Sequence, residues 1–240
     1  LSLRTWFLLK GVNPDGNMQY RESGDTVYDN SAFHCPHTTH MAPTEHTQTP
    51  DLILGSTSRY RAELLSRLGV PFKTANPAVD ESPLTNESPS ALARRLSLAK
   101  ARAVSRLNPQ AVVIGSDQVA DLNGEPLGKP GTHERAVNQL RAMRGQMVIF
   151  HTAVTVVCEA IAFEKTDIAT VQVTFRNLTD TEIERYLLAE TPYDCAGSAK
   201  SEGLGIALLS RIENDDPTAL IGLPLIRTCE LLRAAGLQIP

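Results

Sequence analysis

Apolar residues fall in short runs broken by glycine or polar clusters, and the run that anchors the rest lies within residues 52–68. Leu52, Ile53 and Leu54 end at Gly55; Ser56, Thr57, Ser58, Arg59, Tyr60 and Arg61 follow, then Ala62, Glu63, Leu64 and Leu65, with Leu68 one turn on. That order predicts a buried strand, a tight turn and the start of an amphipathic helix. A short strand over 72–75 and an exposed loop over 77–81 come next. Ser88-Pro89 is a helix entrance, with serine as cap and proline in the first turn. This helix is expected to reach about residue 107, with Leu92, Leu96, Ala99 and Ala103 as its buried stripe. Lys100 lies beside that stripe, either snorkelling to the surface or pointing into a cleft.

Residues 111–119, AVVIGSDQV, run from apolar residues straight into Gly115, Ser116, Asp117 and Gln118. A strand apolar on both faces belongs at the centre of an α/β sheet. Asn123-Gly124 is a hairpin signal, and Gly128-Lys129-Pro130 is a stiff loop that can return its lysine to the same neighbourhood. Residues 132–144 predict a helix stopped by Gly145, and 146–158 with 161–175 a long antiparallel pair. Thr179 to Glu182 is a capping box opening a helix to about 190. A strand over 206–212, a turn at Asp215-Asp216-Pro217 and a helix over 223–235 closed by Gly236 complete the chain. Helices and strands alternating around a long β ribbon predict an α/β fold with a mixed sheet and a cleft between two lobes.

Length and composition sharpen this picture. The 240 residues suit one domain, or one domain of two lobes, with a leader. A formal charge of −4 argues against a general nucleic-acid binder, and no apolar run is long enough to span a bilayer. Cys35, Cys158, Cys195 and Cys229 are scattered without a CxxC pair, as expected of reduced thiols rather than a disulfide frame. Residues 10–50 are polar and lack steady periodicity, so residues 1–48 are expected to be disordered or loosely packed. His34, His37, His40 and His46 cluster there beside Cys35, but their spacing matches no zinc pattern. This stretch is read as a leader incidental to function, with Met41 as an alternative start, and 49–240 as the folded domain.

Candidate chemistry gathers at three places. The junction after Leu54 offers free backbone N–H groups, the positive end of a helix, three hydroxyls and two guanidiniums, a set suited to an anion such as phosphate. A helix cap with surface arginines accounts for the same residues. Asp117 stands at the carboxyl end of a central strand, where open sheets bind ligands; a carboxylate capping a loop is its plainer reading. Residues 194–206, DCAGSAKSEGLGI, form a mobile or phosphate-approaching loop. His133 and His151 are isolated, as surface or packing residues are.

From residue 52 onward the chain resembles the Maf family of nucleotide pyrophosphatases. The matching pieces are LILGSTSRYRAELL at 52–65, VDES at 79–82, AKAR at 99–102, VIGSDQV at 113–119, GKP at 128–130, CAGSAKSEGLGI at 195–206 and IGLPL at 221–225. None is diagnostic alone; their order is. SDQV together with AGSxKSEGxGI is similar to the branch acting on 7-methyl-GTP. The resemblance implies a two-lobed Maf/ITPase-like α/β fold with a long mixed twisted sheet, helices on its faces and a central cleft. It implies hydrolysis between the α and β phosphates of a nucleoside triphosphate, a divalent metal (Mg²⁺ or Mn²⁺), and a cytoplasmic, commonly homodimeric enzyme.

Carried over position by position, the resemblance puts phosphate binding on Ser56, Arg61, Lys100 and Lys129, the proton acceptor on Asp117, and metal binding on Glu81 and Asp117. Base specificity falls on Tyr60, Gln118 and Glu202. Two departures stand out: Arg59 where the family usually has proline, and Tyr60 where this branch often has tryptophan. Methylation at N7 makes guanine cationic, which an aromatic face and a carboxylate favour; Gln118 is expected to donate and accept at the base edge. The competing readings are a dTTP/UTP-directed or broad pyrophosphatase and a nucleotide-binding regulator of cell division with little turnover.

Overall fold

The computed structural model describes residues 8–12, 18–21 and 50–239. The first two pieces pair as an antiparallel hairpin, β1 (Leu8–Val12) with β2 (Met18–Arg21). Regular strands were not expected in a stretch read as a leader. The histidine cluster and Cys35 lie outside the described residues.

Residues 50–239 build one seven-stranded sheet from β3 (Leu52–Gly55), β4 (Lys73–Thr74), β5 (Val112–Leu122), β6 (Glu125–Leu127), β7 (Met147–Cys158), β8 (Phe163–Phe175) and β9 (Leu209–Glu213). Its order is β4-β3-β5-β7-β8-β9, with β6 on the free length of β5. β3 is parallel to β4 and β5, and every other pair is antiparallel. The helices are α1 (Arg59–Ser66), α2 (Pro89–Ser105), α3 (His133–Met143), α4 (Asp180–Glu190) and α5 (Leu225–Ala234). Among the described residues no helix is long and apolar enough to cross a membrane.

Two large apolar clusters share this sheet within one compact unit. One gathers Leu54, Leu64, Leu65, Ile114, Val156 and Leu232 where α1 and α5 cover β3, β5 and β7. The other gathers Leu140, Met143, Phe150, Val171, Phe175 and Leu187 where α3 and α4 cover β7 and β8. Each fully buried side chain of this size contributes about 1.5–3 kcal/mol.

The position of α2 determines the site. Gly55 and Gly115 are partners across β3 and β5. A Cβ on Gly115 would stand 2.3 Å from the Ser97 carbonyl and 2.6 Å from the Ala101 nitrogen. Glycine there lets the helix backbone rest directly on the strand. Ser97 Oγ donates to the Gly115 carbonyl at 3.2 Å and bonds the Thr155 hydroxyl at 2.8 Å. The buried face of α2 is accordingly Leu92, Ala93, Leu96, Ser97, Lys100, Ala101 and Val104, while Ala99 and Ala103 are only half-buried. This corrects the expected stripe. Ser97 and Lys100 lie on the inner face because the sheet and the Glu81 loop supply partners, which hydropathy does not register.

One predicted turn forms as expected and one strand boundary moved. Asn123 (φ 56°) and Gly124 (φ 91°) form the predicted tight hairpin between β5 and β6, with Asp121 Oδ1 accepting from the Gly124 nitrogen at 2.7 Å. The strand expected over 206–212 begins only at Leu209. Ahead of it Leu204–Leu208 is a 3₁₀ turn, drawn in because the Leu204 nitrogen donates to Glu190 Oε2 at 2.8 Å.

Candidate active site

A cleft of about 700 Å³ opens beside the middle of β5. The strand runs on to Leu122, so Asp117 lies mid-strand, just past the last β3 partner Gly115, and not at the carboxyl end as expected. The floor of the cleft is an ion cluster. Lys100 Nζ lies 2.6 Å from Asp117 Oδ1 and 2.6 Å from Glu81 Oε1. Lys100 and Asp117 are buried, at 4% and 6% exposure, whereas Glu81 remains half open to solvent. Such a buried pair persists only because each charge compensates the other. Partial burial pushes the Glu81 carboxyl up, but the Lys100 hydrogen bond and the charges of Lys100, Lys129 and Arg61 hold it below its ordinary value.

The loop that delivers Glu81 is tied to α2. Arg95 donates to both Glu87 oxygens, at 2.6 and 2.8 Å, and to the Ser82 carbonyl at 2.9 Å. On the other wall, Ser58 caps α1 by accepting from the Arg61 nitrogen, and Ser56 Oγ accepts from the Ser58 nitrogen at 3.1 Å. The Arg61 guanidinium reaches back over this turn, 3.4 Å from Ser56 Oγ, and its Nε donates to the Gly222 carbonyl at 2.8 Å. Burial lowers the Arg61 pKa, opposed by Asp117 and Glu81. Lys129 is exposed at the mouth.

Thus Ser56, Arg61, Lys100, Lys129, Glu81 and Asp117 surround one hollow, from five separate stretches of chain. Tyr60, Gln118 and Glu202 line the same hollow. Gln118 does not stand as expected. Its amide nitrogen donates to Thr152 Oγ1 and to the Ala219 and Leu220 carbonyls at 2.9–3.0 Å. The donors are spent inside the protein, which leaves only the amide oxygen for a base edge.

The glycine-rich segment forms 3₁₀ turns at Ala196–Ser198 and Leu204–Leu208 and is bonded to α4. The Lys200 nitrogen donates to the Tyr186 hydroxyl at 3.0 Å, and Lys200 Nζ pairs with Glu190 at 2.8 Å. Asp194, Cys195 and Glu202 border the cleft from this segment. Burial, Asp194 and Glu202 push the Cys195 thiol up to about 12. That leaves it a neutral wall residue.

Sequence reasoning missed one organiser. The Gly222 carbonyl accepts from Arg61 Nε and from Ser116 Oγ, the latter at 3.0 Å, and so fastens the segment after β9 to α1 and β5. Gly222 has φ 122°, a conformation glycine adopts freely, and nothing in IGLPL reveals the contact. His133 and His151 are not isolated either: His133 bonds Tyr193 and Glu184, and His151 bonds Asp121.

Among the described residues no group of three or more His, Cys, Asp or Glu is arranged to hold a metal. Glu81 and Asp117, the two carboxylates that meet at Lys100 Nζ, are the oxygen donors of the cleft from which a hard ion such as Mg²⁺ would have to draw its protein ligands.

Fold and cleft together define a class: mixed α/β proteins with a hollow lined by cationic, hydroxyl and carboxylate side chains beside a central strand. The chain belongs to the Maf family, with residues 51–235 matching the family model for Maf-like proteins. It is 71% identical to the 7-methyl-GTP pyrophosphatase of Polaromonas sp. (strain JS666 / ATCC BAA-500) over 78% of this chain and 86% of that protein. It is 64% identical to the 7-methyl-GTP pyrophosphatase of Albidiferax ferrireducens over 78% of this chain and 94% of that one. Among solved structures it is similar to the Ham1 protein of Staphylococcus aureus, at 15% identity and a TM-score of 0.39, over 53% of this chain and 72% of that one.

Proposed function

We propose that this protein is a nucleoside triphosphate pyrophosphatase that converts 7-methyl-GTP to 7-methyl-GMP and pyrophosphate. The observation that carries the reading is the convergence of Ser56, Arg61, Lys100 and Lys129 on the hollow that Asp117 faces from the middle of β5. The names of the similar proteins support the choice of nucleotide.

Cleaving a phosphoanhydride is chiefly a matter of positioning and charge neutralisation. The α1 turn, with Ser56 and Arg61, receives phosphate oxygens, while Lys100 and Lys129 balance their charge. Asp117 Oδ1 is fixed by Lys100, so Oδ2 is the atom that takes the proton of the attacking water. The water oxygen bonds to the α phosphorus, and the α–β bridging oxygen leaves with pyrophosphate. Glu81 and Asp117 would hold a divalent cation, which supplies further neutralisation of the phosphate charge. At the other end, Tyr60 offers its ring and Glu202 its carboxylate to a cationic base. A cytoplasmic homodimer, with neither nucleic acid nor membrane as partner, completes the proposal.

The test is pyrophosphate release from 7-methyl-GTP, GTP, UTP and dTTP with added Mg²⁺ or Mn²⁺. A kcat/KM for 7-methyl-GTP about tenfold or more above the others, some 1.4 kcal/mol in the transition state, is expected. Equal values would reassign the protein as a broad enzyme, and pyrophosphate from none would leave a binding protein.

A further inference from the structure

The Tyr60 ring already attracts cations. The Arg59 guanidinium carbon lies 4.8 Å from its centroid and Lys200 Nζ lies 5.6 Å from it. Arg59 also donates to the Tyr60 hydroxyl at 2.7 Å. Lys200 is held by Glu190, but Arg59 is exposed and lines the cleft. Arg59 is the first residue of α1, where a positive charge opposes the helix dipole and where no acid follows in the first turn. Local helix physics therefore does not explain the residue. The cleft does: Asp194 and Glu202 border the same end and favour positive charge there.

We propose that Arg59 is a resident cation at the base end of the cleft, competing with a positively charged base for the Tyr60 face and so moderating how strongly the site prefers that base. A guanidinium is planar, delocalised and weakly hydrated, much as an N7-methylated purine is. A cationic base arriving at Tyr60 meets the repulsion of Arg59 or must displace it, whereas a neutral base of the same shape meets no repulsion. The inference rests on the reading of the cleft as a nucleotide site, but not on turnover.

The experiment compares binding of 7-methyl-GMP and GMP by calorimetry, in the full-length protein and in Arg59→Ala and Arg59→Lys. Phosphate contacts cancel in the ratio of the two dissociation constants, leaving the effect of base charge. Arg59→Ala is expected to raise the preference for 7-methyl-GMP by about two- to fivefold, the range of an exposed cation–π contact. Arg59→Lys, which keeps the charge, is expected to stay near the parent ratio. An unchanged or reduced ratio in Arg59→Ala, or an equal rise in Arg59→Lys, overturns the proposal. Loss of the parent protein's preference for 7-methyl-GTP in turnover would instead count against the proposed function, so the two fail separately.

Discussion

The end of the cleft proposed to take phosphate is anchored by α2 and β5, whereas the end proposed to take the base draws mainly on a helix start and turns. Lys100 and Asp117 are buried on α2 and β5, locked to each other, and α2 is locked to the sheet through Gly115 and Ser97. Tyr60, Arg59, Asp194 and Glu202 stand at a helix start and on a turn-rich segment, partly or wholly exposed. Preorganised charge is worth most where water is excluded. Chemistry is therefore expected to be fixed by the buried end, and choice of base to be adjustable at the open end with little effect on folding.

The first way to break this contrast is Lys100→Met. It leaves Asp117 buried without its counter-ion, and stability should fall by about 3–5 kcal/mol in a denaturant titration; a change under 1 kcal/mol would show that the cluster is not the anchor of its end. Gly115→Ala forces α2 off β5, and a loss of about 1–3 kcal/mol is expected, accompanied by reduced turnover. Unaltered turnover would mean the Lys100–Asp117 contact tolerates movement of the helix. At the open end, Glu202→Gln should reduce the preference for a cationic base by roughly two- to fivefold, with the melting temperature hardly changed.

The smallest effect belongs to the clasp on the Glu81 loop. Arg95 holds the Glu87 carboxyl at about 2, well below its ordinary value. Because the pair depresses this pKa in the folded state, its stabilisation is present above the ordinary carboxylate range and is lost as pH falls toward about 2. Glu87→Gln should thus melt slightly lower than the parent at neutral pH, with the difference vanishing in strong acid. A constant difference across pH would point to packing rather than charge.

Much of this was legible in the sequence because local rules act locally. Serine before proline, the Thr179–Glu182 capping box, Asn123-Gly124 and the long alternating pair each predicted an element that forms as expected. Asp117 was legible as the polar break after an apolar run, although the strand does not end there: β5 continues to Leu122 because its antiparallel pairing with β7 outlasts its parallel pairing with β3. What escaped is what depends on distant main chain. Nothing near Gln118 announces that its amide meets the carbonyls of residues 219 and 220, and nothing near Arg61 announces Gly222. The inner face of α2 escaped for the same reason, since Ser97 and Lys100 are buried only because Thr155, Asp117 and Glu81 await them.

The most direct test of the account is Asp117→Asn, measured for turnover of 7-methyl-GTP and, separately, for nucleotide affinity. The amide keeps the shape but cannot take the proton of the attacking water, so kcat should fall by about 10²–10⁴ while affinity changes little. A variant that still releases pyrophosphate near the parent rate would contradict the claim that Asp117 activates the water.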